Sequence, residues 1–223
     1  QARASREAPA IRFGDASLNY GQLVDRVESI AAALHQRGVK RGDRVGILLM
    51  RSLDLIPALL ATWRIGALYV PIDVGFPKKR IAYMLEDSNV HVVVADCELL
   101  HLLDEEHASI SLCIESLAGQ VFLPGEISPA SGTDSAYIMY TSGSTGNPKG
   151  VEVRHSALVN CLRATRDYVE FTAESSMLAL TTISFDISTV EIFMPLMSGG
   201  CVDLGEDGLA ADGIHLVERI ENR

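Results

Sequence analysis

Apolar residues in this chain recur at two alternating spacings. In "LNYGQLVDRVESIAAALHQRG", Leu23, Val27, Ile30, Ala31 and Leu34 fall on one face of a helix. Asn19 is placed to cap its start, and Gly38 to sit at C′. "RVGILLM" (44–50) is a short continuous apolar run, the mark of a buried strand. "SLDLIPALLATWRIG" returns to helical spacing; a start near Asp54 puts Pro57 in the first turn, where its missing N–H costs little. "ALYVPID" is a strand, "FPKKRIAYMLEDSN" a helix with Ile81, Met84 and Leu85 inward, "VHVVVAD" (90–96) a strand, and 110–114 one more. "SAYIMY" leads into a glycine-rich stretch, and Val151 and Val153 predict a strand returning as a hairpin. Ser156 is the expected cap of the helix "ALVNCLRATRDYV". Strand 177–181, helix 187–197, strand "CVDL" and a helix near 213–221 complete the series. Such alternation predicts an α/β fold, with parallel-rich sheets flanked by helices. The one linker-like stretch is 115–135, rich in Gly, Pro and Ser, and marks a candidate subdomain boundary.

Composition narrows the classes. The 223 residues are 48% hydrophobic and carry a net charge of −10. That is globular, and it disfavours non-specific nucleic-acid or anionic-membrane binding. The cysteines (97, 113, 161 and 201) are far apart, with no C-x-x-C. Reduced thiols and a cytoplasmic location are expected, with no zinc site. "QARASREAPA" does not read as a signal peptide, and no apolar run approaches the ~18 residues that span a bilayer.

The chemistry concentrates in "YTSGSTGNPKG" (140–150). Gly143, Gly146 and Gly150 allow positive φ and close backbone approach. Successive N–H groups in such a turn form an anion-binding concavity. Thr141, Ser142, Ser144 and Thr145 add hydroxyls, and Lys149 adds a positive charge. The phosphate chain of a nucleotide suits this set. It is not a Walker A loop, because Gly150 follows Lys149 and a strand comes next.

The same stretch resembles the phosphate-loop signature of acyl-adenylate-forming enzymes. Other stretches resemble the adenylation domains of nonribosomal peptide synthetases: "LNYGQL" (18–23), "WRIGALYVPID" (63–73) and "SFDIS" (184–188), in order. Where that branch usually has Lys-Ala-Gly in the second, this chain has Arg64-Ile65-Gly66. The resemblance covers 18–213 and implies the N-terminal portion of one adenylation domain. It implies ATP-dependent activation of an amino acid as an aminoacyl-adenylate, for loading onto the phosphopantetheine thiol of a carrier protein. Thr141, Ser142, Gly143, Ser144, Thr145, Gly146 and Lys149 would hold the phosphates, Lys149 as the catalytic cation. Phe185, Asp186, Ile187 and Val190 would line the substrate pocket, with Asp186 pairing with the substrate ammonium. Magnesium would be bound by a residue outside this chain, so residues 1–223 alone are expected to be inactive. A small accessory protein of the kind some synthetases use is a further implied partner.

The residues leave alternatives open. The enzyme could be an acyl- or aryl-CoA ligase of the same superfamily, or the chain a non-catalytic scaffold for neighbouring domains. By spacing alone, Asp186 reads as a helix N-cap. "HLLDEEHA" (101–108) reads as a solvated helix, and "KKR" (78–80) as a solvated face. His155 reads as a structural helix-start residue, and Trp63 as core or pocket-adjacent.

Overall fold

The computed structural model describes residues 5–117, 130–142, 148–206, 208–209 and 213–221. A short hairpin opens the chain: β1 (Pro9–Phe13) and β2 (Ala16–Asn19). The sequence pattern did not predict it, because the strands are brief and one starts with proline. Next come α1 (Tyr20–Gln36), β3 (Arg44–Leu48), α2 (Leu55–Arg64), β4 (Leu68–Pro71), α3 (Lys78–Asp87) and β5 (Val92–Ala95). A 3₁₀ segment (Cys97–Leu102), α4 (Glu105–Ser109), β6 (Ser111–Cys113) and a second 3₁₀ segment (Ile114–Leu117) follow. The remainder is β7 (Ser135–Thr141), β8 (Lys149–Arg154), α5 (His155–Tyr168), β9 (Ser176–Ala179), α6 (Ile187–Ser198), β10 (Cys201–Leu204) and α7 (Gly213–Glu221).

Two sheets result. One has the order β2-β1-β10-β9; the other has the order β6-β5-β3-β4-β7-β8. All pairings are parallel except the hairpins β1–β2 and β7–β8. β1 pairs with β10, and β4 with β7, so each sheet combines strands from both sides of 115–135. Residues 118–129 of that stretch lie outside the described residues. Its end is tied down: Ala130 N–H donates to Trp63 O, and Arg41 pairs with Asp134 at 2.8 Å.

Strand alternation divides the core in two. Val45 and Ile47 of β3, with Tyr137 and Met139 of β7, join the larger core that also takes in β1, β10, α1, α2 and α6. Leu48, Val93, Ile138 and Tyr140 point the other way, against Ile81, Met84 and Leu85 of α3. Gly46 lets α3 come close, since a Cβ there would lie 2.9 Å from Leu85 Cδ2.

Local signals fare unevenly. Asn19 caps α1 in a full capping box with Gln22, and Gly38 follows with φ +84°. α2 starts after Asp54, placing Pro57 in its first turn. Ser156 is not a cap: α5 begins at His155 after Arg154, and Ser156 N–H donates to Gly132 O. The solvated helix expected over 101–108 is instead a 3₁₀ segment and a separate turn of helix. His107 is buried there and bonds Asp104, which the backbone and ring of His107 hold below its ordinary pKa.

Arg51, just past β3, joins the two sheets. Nη1 donates to Ala179 O (2.8 Å) and Gly205 O (3.1 Å); Nη2 donates to Thr181 O (2.9 Å) and Leu180 O. Arg51→Met keeps the stem and removes the guanidinium donors from those carbonyls, of which Ala179 O keeps Gly205 N–H. It is expected to cost about 2–3 kcal/mol of stability in urea unfolding. A loss below ~0.5 kcal/mol, the scale of an ordinary surface change, would show that water replaces the guanidinium.

Candidate functional site

The described ends of the glycine-rich stretch belong to the β7–β8 hairpin, at one edge of the six-stranded sheet. Thr141 and Lys149 are register partners and form its mouth. Thr141, Ser142 and Lys149 are exposed, whereas Gly143, Ser144, Thr145 and Gly146 lie outside the described residues. Gly150 is extended strand, not a positive-φ residue. Its lack of a side chain makes room: a Cβ would meet Ile138 Cγ2 at 3.0 Å and Tyr140 Cζ at 3.2 Å. Tyr140 donates its hydroxyl to Asp87 (2.6 Å), and Tyr83 donates to Pro148 O (3.2 Å). Helix α3 thus grips the base of the hairpin. Burial and the Asp87 carboxylate push the Tyr140 phenol well above its ordinary pKa, so it stays a donor.

A second segment, 180–186, runs from β9 to α6. Arg51 holds its first carbonyls, and Glu191 of α6 accepts from Leu180 N–H (3.2 Å), Thr181 N–H (2.9 Å) and the Thr181 hydroxyl (2.9 Å). Thr182 donates to Asp73 (2.6 Å), and Ser184 to Pro71 O (3.3 Å), which fixes the segment against the end of β4. Phe185 and Asp186 follow, exposed, at the start of α6. Asp186 precedes the helix, but its side chain makes no capping bond; its own backbone is helical, φ −61° and ψ −31°. An N-cap normally needs extended backbone to turn its side chain onto the N–H groups.

The two segments meet. Thr141, Ser142, Phe185 and Asp186 line one cavity of about 540 Å³, with Tyr137 and Arg80 among its other walls. The Tyr137 phenol is raised by burial and then by the Asp186 charge. Ile187 does not line this cavity and is 59% exposed; Val190 packs partly buried against the larger core. Lys149 is outside the lining too, at the hairpin mouth.

A larger groove of about 830 Å³ lies elsewhere, among α1, α2 and α5. His155 faces it, edge-on to Trp63 at 4.9 Å, with Nε2 buried and unpartnered. Burial lowers its pKa, and the ring does not line the loop cavity. Cys113 and Glu115, two residues apart, and the distant Cys97 bring ligand atoms within 4.8 Å of one another. Glu115 already accepts the Cys97 N–H at 3.1 Å.

The family is decided by comparison. The AMP-binding enzyme family model matches residues 1–222. The chain belongs to the AMP-binding enzyme family. It is 34% identical over 220 residues to a plipastatin synthase of Bacillus subtilis (strain 168), covering 99% of this chain and 8% of that protein. It is 35% identical over 210 residues to tyrocidine synthase 3 of Brevibacillus parabrevis, covering 93% and 3%. The chain therefore spans a small part of these relatives. Among solved structures, it matches a four-domain nonribosomal peptide synthetase bound to AMP and glycine (TM-score 0.84, 33% identity, 96% of this chain and 16% of that one). It also matches the N-terminal subdomain of Klebsiella oxytoca NpsA in complex with 3-hydroxyanthranilyl-AMSN (TM-score 0.89, 27% identity, 99% and 56%). The resemblance to the N-terminal portion of peptide-synthetase adenylation domains holds, as does the α/β fold with parallel-rich sheets.

Gly150→Ala in this AMP-binding chain is expected to cost about 1–3 kcal/mol by crowding Tyr140 and Ile138. In the double variant with Tyr140→Leu, the loss should be smaller than the sum of the two single losses, because one clash partner is gone. Strict additivity in thermal or urea unfolding would show that Gly150 is needed for something other than room for Tyr140.

Proposed function

We propose that this chain supplies the phosphate loop and part of the substrate pocket of an enzyme that activates an amino acid with ATP. The observation that supports it most is the shared cavity: hydroxyl residues of the loop and the Asp186 carboxylate line the same space. In the reaction, a carboxylate oxygen of the acid bonds to the α-phosphorus of ATP, and the bond to pyrophosphate breaks. Two anions must meet, so the protein's work is positioning and charge stabilisation. Loop residues 141–149 hold the phosphates, with Lys149 closing from the hairpin mouth. Asp186, free of any capping bond, pairs with the substrate ammonium. Phe185 gives that subsite an apolar wall; Ile187, exposed on α6, and Val190, packed against the larger core, lie off the cavity lining.

Magnesium would offset phosphate charge. The cavity offers the ion little: of its two carboxylates, Asp186 is given above to the substrate ammonium. Asp73 lines it, but one of its oxygens accepts from Gly75 N–H (2.8 Å) and the other from Thr182. The magnesium ligand is expected outside these residues. The adenylate would pass to the phosphopantetheine thiol of a carrier protein in the cytoplasm; a small accessory protein is a further partner in this reading. Residues 1–223 on their own would be inactive.

A second reading, activation of an aryl acid, is favoured by one finding: NpsA, similar in fold, was solved with 3-hydroxyanthranilyl-AMSN and 3-hydroxybenzoyl-AMSN. Asp186 separates the two, since an acid without an ammonium leaves it unpaired. In the full protein containing this chain, Asp186→Ala should lower kcat/KM for the amino acid by roughly tenfold to 150-fold, the range of one charge-assisted hydrogen bond. A desamino analogue should lose far less. Equal losses for both acids would make Asp186 structural. Lys149→Ala should lower kcat/KM for ATP by a similar factor, roughly tenfold or more, whichever acid is supplied. An unchanged value in ATP–pyrophosphate exchange would remove Lys149 from the site.

A further inference from the structure

Arg80 is the one cation among the described residues that line the loop cavity. It sits in the first turn of α3, where the partial positive charge of a helix start adds to its own. Its guanidinium lies over the Phe76 ring, 3.9 Å from the centroid, which fixes its plane while leaving its N–H edge unspent. Nε is buried and donates to nothing.

The nearby carboxylates do not answer it. Two carboxylates share its cavity: both Asp73 oxygens are engaged by Gly75 and Thr182, and Asp186 forms no ion pair with it. Lys78 and Lys79, its neighbours in the run, are exposed. A buried guanidinium donor without an acceptor is costly unless a ligand completes it. The groups beside it on the cavity wall include Thr141 and Ser142, at the start of the phosphate loop. The same helix holds the far end of that loop, through Tyr83 and the Pro148 carbonyl.

We propose that Arg80 is a second phosphate-binding cation: its guanidinium edge donates to a β- or γ-phosphate oxygen of the nucleotide. Arg80 then serves as a planar, two-pronged donor, and Lys149 as a mobile point charge. Helix α3 becomes one wall of the nucleotide site, and Phe76 the platform that holds the guanidinium flat. The assignment rests on the adenylating reading above, since it needs a nucleotide in this cavity.

The test is direct binding. The full protein containing this chain, as wild type, Arg80→Gln and Arg80→Lys, is titrated with a non-hydrolysable ATP analogue and with adenosine. Arg80→Gln should weaken the analogue by roughly tenfold to 150-fold. Adenosine affinity and the thermal midpoint should stay unchanged, and Arg80→Lys should fall between Gln and wild type. Analogue affinity within twofold of wild type would overturn the assignment. Equal losses for analogue and adenosine would also overturn it, by showing a structural role. So would a rise confined to the KM of the acid substrate, which would place a carboxylate rather than a phosphate on Arg80. If the wild type itself binds the analogue no better than adenosine, the adenylating reading fails along with this one. If it prefers the analogue and Arg80→Gln prefers it equally, only the role of Arg80 falls.

Discussion

One guanidinium holds the two sheets in the relation on which the site depends. Arg51 leaves the end of β3 in the six-stranded sheet and donates to carbonyls at the ends of β9 and β10 in the four-stranded sheet. Ala179 O also accepts Gly205 N–H at 3.0 Å, while the Leu180, Thr181 and Gly205 carbonyls lie past the strand ends, where backbone acceptors need another partner. Glu191 does the complementary work from α6, accepting the N–H groups of Leu180 and Thr181. A cation on the C=O side and an anion on the N–H side leave residues 180–182 few alternative paths. Asp186 is where it is because the chain arrives there already committed.

The hairpin is controlled differently. It stands at a sheet edge, where only β7 supports β8. An edge hairpin is free to twist away, and α3 opposes this from the far face of the sheet. Tyr140 lies on Gly150 and bonds Asp87; Tyr83 bonds Pro148. Both stems of the loop are fixed in this way before any ligand arrives. In the proposed function, fixed stems mean that binding a phosphate does not also have to place the whole hairpin.

Much of this was legible in the chain itself. Helical and strand periodicities located nearly every element, because each buries one stripe or one face and the sequence must mark it. The loop and "SFDIS" were legible because their residue types have few other uses in that order. What stayed hidden was long-range. The hairpin of β1 and β2 is short and borrows its stability from β10, which lies across the whole chain. Arg51 looks like any residue after a buried strand; only the fold brings four carbonyls to it. His107 read as solvated because its spacing from His101 assumed one continuous helix, and the chain breaks between them. Arg80 was grouped with Lys78 and Lys79 as one basic run. A helix separates such neighbours by about 100° of rotation each, so Arg80 turns toward the cavity while the lysines face water.

The same geometry bears on what Asp186 is for. A carboxylate at a helix start is ordinarily explained by capping, and that use would occupy it fully. Here the backbone of Asp186 is already helical, and its carboxylate bonds none of the first N–H groups. The nearby turn is satisfied by other means: Ser188 and Thr189 donate their hydroxyls to Phe185 and Asp186 carbonyls. In the proposed function this exposed carboxylate, on the cavity wall beside the Phe185 ring and Tyr137, is the group that meets a cation. It raises the cost of admitting an uncharged or anionic group at that end of the cavity. Arg80 lowers that cost for an anion at its own position on the wall. In the proposed function, opposite charges on one cavity, Asp186 without a capping bond and Arg80 stacked on the Phe76 ring, orient a ligand that is cationic at one end and anionic at the other.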